Sequence, residues 1–162
     1  MDDIIHNGDP EFDSIPTIKQ KALKINLNEN IYGTFAEIGA GQETVRQFFR
    51  VGGASGTIAK SLSAYDKDFS DAIYGIEDDS RYVSQNRLKK MLVQETDLIE
   101  ERIGEKDPNK MFFCYANTVA TIDFARKFKG HGWVGMRFQI DQNQDYNEII
   151  LHVRFKENIA RQ

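Results

Sequence analysis

Two groups of residues in this 162-residue chain have types and spacing that suit chemistry. The first runs from Thr34 to Gly41 and reads Thr-Phe-Ala-Glu-Ile-Gly-Ala-Gly. An apolar strand that turns on two glycines into a helix can receive phosphate or another anion. The first amide N–H groups of a helix have no internal partner and lie at the positive end of its dipole. Gly39, Ala40 and Gly41 are therefore the candidate donors. Asp66 follows about two dozen residues later, near where dinucleotide-binding folds carry a ribose-binding carboxylate. The second group is Arg137, His152 and Arg154, set at alternate positions of two runs with period two, so that a hairpin would bring them to one face. Guanidinium and imidazole groups gathered there can hold a phosphate or a carboxylate. Each feature also has a plainer reading: a tight glycine turn, an aspartate beside a surface turn, and a solvent-facing hairpin side balanced by Glu148.

The elements that must position these residues can be followed along the chain. Residues 1 to 16 hold five acids and two prolines with few apolar side chains, and read as a mobile acidic tail. Thr17 to Leu27 fits either a short helix or an edge strand. After Gly41, the spacing of Val45, Phe48 and Phe49 predicts an amphipathic helix that ends at Gly52-Gly53. Alternation from Ile58 to Ala64 suggests a half-buried strand ending at Asp66, with a short helix as the alternative. Phe69, Ala72 and Ile73 form a helical turn. A longer helix begins near Ser84 with Leu88, Met91, Leu92 and Ile103 inward, and Arg87, Lys89, Lys90, Glu95, Asp97 and Glu101 outward. The apolar run Met111 to Ala116 reads as a central strand. Trp133 to Ile140 and Glu148 to Phe155 complete a hairpin, with Val134, Met136, Phe138, Ile149, Leu151 and Val153 sharing the apolar face. His131, between Gly130 and Gly132, reads as a turn residue.

Composition narrows the function classes. With 40% apolar and 28% charged residues, the chain is long enough to bury a core without a metal or disulfide staple. A net charge of −4 and a pI near 5.4 argue against non-specific attraction to nucleic acid or anionic lipid. The single cysteine, Cys114, lies in an apolar run and is expected to be buried rather than nucleophilic. No pair of histidines or cysteines has metal-ligand spacing, and neither a Gly-x-Ser-x-Gly elbow nor a Walker phosphate loop occurs. No segment has the pattern of a secretion signal or a membrane span, so a cytoplasmic protein is expected.

Two resemblances add to this reading. The Glu-x-Gly-x-Gly spelling from Glu37 to Gly41 resembles the first motif of S-adenosylmethionine-dependent methyltransferases, although Gln42-Glu43 stands where those enzymes carry a further small residue. More widely, Tyr32 to Glu43, Gly56 to Ser61, Ser63 to Asp66, Phe69 to Gly75, Arg81 to Ser84, His131 to Trp133 and Leu151 to Arg154 resemble an uncharacterised family of bacterial cytoplasmic proteins. The resemblance covers most of the chain after the tail. It implies a longer protein, with this chain either its N-terminal part or a naturally short member of the family. Two activities attached to such sequences do not fit these residues. A TonB-dependent receptor needs an export signal and a membrane barrel, and a nicotinate-nucleotide adenylyltransferase needs a His-x-Gly-His that is missing here.

The expectation is one α/β (or α+β) domain over residues 17 to 162, with a mixed sheet of about five strands, a C-terminal antiparallel hairpin and flanking helices. The leading function is binding of a nucleotide or other phosphorylated small molecule, with backbone amides from Gly39, Ala40 and Gly41 and charge from Arg137, His152 or Arg154. One alternative is a homo-oligomerising structural domain with no ligand, and another is a methyltransferase-like enzyme. No catalytic residue and no cofactor can be named.

Overall fold

The computed structural model describes residues 15–121 and 129–156. The acidic tail therefore lies outside the described residues except at its last two positions. Chain order is α1 (Ile18–Asn26), β1 (Ile31–Gly39), α2 (Thr44–Phe49), β2 (Ile58–Ala64), α3 (Lys67–Tyr74), α4 (Gln85–Ile99), β3 (Met111–Ala120), β4 (His131–Phe138) and β5 (Asn147–Arg154). The strands form one mixed sheet in the order β2-β1-β3-β4-β5. β1 is parallel to both β2 and β3, because each of those connections crosses over through helices. β4 and β5 join antiparallel, β5 through a short polar loop. The five-stranded α/β sheet, its flanking helices and its C-terminal hairpin are as the sequence predicts.

Local chemistry sets the helix starts. Thr17 caps α1 in a capping box with Gln20, which settles this stretch as helix rather than strand. Asp66 accepts the Phe69 amide at 2.8 Å to cap α3, and Ser84 accepts the Arg87 amide at 3.1 Å to cap α4. Each cap contributes about 1 kcal/mol. A π-helical turn, Glu100–Gly104, carries α4 onward.

α4 lies across one face of the sheet and buries Leu88, Met91 and Leu92 against Ala36, Ile38, Cys114 and Ala116. Burying each of those larger side chains contributes about 1.5–3 kcal/mol. The helix lies directly over Gly135, where a Cβ would stand 2.9 Å from Leu92 Cδ1 and 3.0 Å from Leu88 Cδ2. That approach decides which side of the hairpin faces inward. The face carrying Trp133, Gly135 and Ile150 packs on α4. The opposite face, with Val134, Met136 and Phe138, is only partly covered, and Ile149, Leu151 and Val153 are 47%, 55% and 40% exposed. On that second side, α1 and α2 cover the β1 half of the sheet, where Phe35 packs against Phe48, Phe113 and Tyr115 at 5.1–5.5 Å between ring centres.

Two outward assignments in α4 are corrected. Arg87 is fully buried and Glu95 is 2% exposed. Arg87 is satisfied by Glu77, Asp71, Ser70 and the Gly75 carbonyl, while Glu95 accepts from the Tyr74 hydroxyl at 2.9 Å and from Lys60. These partners come from the segment just before α4 and from β2, so the charges are neutralised inside rather than solvated outside.

Candidate functional site

The turn after β1 is built from the inside. Gly39 ends the strand at φ +77°, where a Cβ would lie 2.1 Å from the Val119 carbonyl oxygen, so only glycine fits. The Ala40 amide donates to that carbonyl at 3.0 Å and ties the turn to β3. At Gly41 the space that a Cβ would take is held by the Asn117 side chain, with Oδ1 at 2.6 Å. Gln42 folds back and donates to the carbonyls of Glu37 and Gly39, both at 2.9 Å. The buried Glu37 carboxylate accepts the Thr44 amide at 2.9 Å, which places an anion from the protein itself at the start of the six-residue α2. Burial pushes the Glu37 carboxyl above the usual range, and hydrogen bonds from Thr44, Val45 and Asn117 offset part of that rise.

With its backbone so engaged, the turn forms one wall of a cleft. Gly39, Ala40, Tyr65, Tyr82, Ala120 and Thr121 line a space of about 130 Å³ at the carboxyl ends of β1 and β3. The chain leaves β1 toward β2 on one side while β3 lies on the other, so the cleft sits at the switch point of the sheet, where open α/β folds bind ligands. The Tyr65 ring is largely exposed. Burial, with Tyr65 and Asp66 nearby, pushes the Tyr82 phenol up.

Beside the cleft, the β4–β5 register brings together two histidines and an arginine. His131 pairs with Ala120 on one side and with Arg154 on the other, and His152 pairs with Trp133. His131 Nδ1 lies 3.1 Å from His152 Nε2, and the Trp133 ring stacks on His152 at 4.4 Å between ring centres. Burial holds His131 below its ordinary value, with His152, Arg154 and Arg81 adding repulsion.

The expected site residues therefore divide. Gly39, Ala40, Asp66, His152 and Arg154 lie at or near this edge of the sheet. Gly41 is packed on Asn117, and the Asp66 carboxylate caps α3. Arg137 does not join them. Six residues along β4 from His131, or about 20 Å away, it lies 3.9 Å from Glu148 and over the Tyr146 ring. Tyr65, Tyr82, Arg81 and His131 were not singled out as ligand residues. His131 had a signal, because it lies two positions before Trp133 and so shares the face of His152 and Arg154.

A nucleophile at Cys114 is disfavoured, since the thiol is fully buried and burial pushes its pKa up. The chemistry of such a cluster suits an anion, and His131 pairs with Ala120, which lines the cleft. Among the described residues, no helix is long and apolar enough to cross a membrane.

Solved structures share the fold. A competence-damaged protein (CinA) superfamily protein from Enterobacter cloacae is similar at a TM-score of 0.59 and 13% identity, over 97% of this chain and 86% of that one. The competence/damage inducible protein CihA from Agrobacterium tumefaciens gives 0.60 and 16%, over 91% and 86%. A CinA superfamily protein from Escherichia coli gives 0.56 and 12%, over 84% and 77%. A scan against protein-family models and a search of curated proteins find no match. At these identities the likeness is one of fold, and this chain has the α/β fold seen in those CinA superfamily structures.

Proposed function

We propose that the chain binds a small phosphorylated ligand at the carboxyl edge of β1 and β3, with the anion at the cleft mouth. Arg81, His131, His152 and Arg154 supply the charge, the Gly39-Ala40 turn allows close approach, and the exposed Tyr65 ring offers a stacking surface for a base or sugar. The observation that supports the reading is the His131–His152 pair, with Arg154 across the strands from His131, at the same end of the sheet as the cleft between β1 and β3, in a chain of net charge −4. A cleft of about 130 Å³ takes a phosphate group and leaves the remainder of a nucleotide outside. Asn117 at Gly41 favours this arrangement over the methyltransferase reading, in which an adenosyl group would need room along the turn.

The test is a thermal-shift series with inorganic phosphate, nucleoside mono- and diphosphates, sugar phosphates and S-adenosylmethionine. Arg81→Ala, His131→Ala and Arg137→Ala are run beside the wild type. A ligand at a hundredfold excess over its Kd stabilises the native state by about 2.7 kcal/mol. The expected result is a shift with phosphorylated compounds that the first two variants lose and Arg137→Ala keeps. Loss in Arg137→Ala alone, or no shift with any compound, overturns the reading.

A further inference from the structure

Among the described residues, β5 is the outer strand of the sheet, paired to β4 on one side only. It runs for eight residues, Asn-Glu-Ile-Ile-Leu-His-Val-Arg, without proline or glycine, and all but Ile150 are exposed. Such an edge is a template for another strand unless something blunts it. The Phe155 amide donates to the Gly130 carbonyl on the β4 side at 3.0 Å. By the alternation of a strand, the amides and carbonyls of Glu148, Ile150, His152 and Arg154 then point toward the open edge. The side chains of Ile149, Leu151 and Val153 lie on the exposed sheet face.

We propose that β5 pairs antiparallel with β5 of a second copy of this chain, about a two-fold axis at Leu151. In this register, Glu148 stands opposite the partner's Arg154, Ile150 opposite the partner's His152, and Ile149 opposite the partner's Val153. The outward-pointing backbone groups of one strand meet those of the other, so the register satisfies both edges. It also places the acidic start of each strand against the basic end of the other, twice over by symmetry. Sliding the strands by one residue would mix the faces, and sliding by two would either set Glu148 against the partner's His152 or carry it past Arg154, the last residue of the strand. Glu148 already lies 3.9 Å from Arg137, and the pairing would bracket its carboxylate between two guanidinium groups. The apolar stripes of the two copies would then run together on one side of a ten-stranded sheet.

The proposal stands apart from ligand binding and meets it at His152 and Arg154, so the ligand test uses Arg81 and His131 instead. Sedimentation equilibrium over a range of concentrations is measured for wild type, Glu148→Arg, Arg154→Glu and the double variant, with far-ultraviolet circular dichroism showing that each is folded. Wild type is expected to dimerise. Each single reversal sets like charges opposite each other twice and weakens the dimer about tenfold. The double variant recreates the cross-strand pairs and recovers most of the affinity. Hydrogen exchange supplies the second readout, because the Ile150 and His152 amides become protected as concentration rises. A monomeric wild type, a dimer that neither reversal weakens, or a double variant as weak as the singles overturns the pairing.

Discussion

The Glu37 carboxylate accepts the Thr44 amide at 2.9 Å, so the helix that follows the glycine turn begins on an anion supplied by the strand before it. The same geometry that receives a ligand phosphate at a helix start is here closed internally, which moves the candidate anion site to the β3–β4 side of the turn.

The burial of that carboxyl makes stability depend on pH in a direction opposite to most carboxylates. Burial raises the Glu37 pKa in the folded state, so the native protein keeps a proton that the unfolded chain releases once pH passes about 4.5. The Glu37 contribution therefore falls as pH rises from there through the folded value, and then levels. Glu37→Gln removes this titration. Urea midpoints measured from acid to neutral pH should show the variant gaining on wild type as pH rises across that window. A constant difference between the two would show that Glu37 does not titrate differently on folding.

Arg87 gives a larger effect. Its guanidinium is fully buried and donates to Glu77 at 3.1 Å, to Asp71, to Ser70 and to the Gly75 carbonyl. Arg87→Ala leaves the Glu77 carboxylate buried with only Lys90 at 3.1 Å for company. A loss of about 3–5 kcal/mol is expected in denaturant unfolding. Lys89→Ala, on an exposed position of the same helix, should stay within about 0.5 kcal/mol of wild type. Comparable losses in the two variants would sink the assignment of Arg87 as the internal anchor of the α3–α4 connection.

These cases show what could be read from the sequence. The Ser84 start of α4, the central strand from Met111 and the common sheet face of Arg137, His152 and Arg154 all follow from local pattern and are present. The inward side of the hairpin was not legible. Period-two alternation separates two faces, but only the gap at Gly135 shows which one admits Leu88 and Leu92. Arg87 and Glu95 look like solvated charges because their partners, Glu77, Asp71, Tyr74 and Lys60, lie 10 to 35 residues away and are brought near by tertiary packing. His131 was hidden by its glycine neighbours, which suggested a turn where the chain forms the first residue of β4.

The His131–His152 pair allows the candidate site to be tested without knowing its natural ligand. His131 lies 3.1 Å from His152, and burial, His152, Arg154 and Arg81 all disfavour its charged form, so its folded pKa lies below the ordinary value of about 6.5. The unfolded chain therefore takes up this proton first as pH falls. The His131 contribution to stability is whole above pH 6.5 and is lost as pH drops through the folded value. An anion bound at the cleft mouth reverses the balance, because a phosphate beside the ring favours the imidazolium. A nuclear magnetic resonance titration of the His131 ring protons should give a depressed pKa in a chloride buffer and a higher one with added inorganic phosphate. Arg81→Ala should shrink the phosphate-dependent rise, since it removes one of the groups that draws the anion in. If phosphate leaves the His131 titration where it was, the anion does not bind at this cluster, whatever the melting temperature reports.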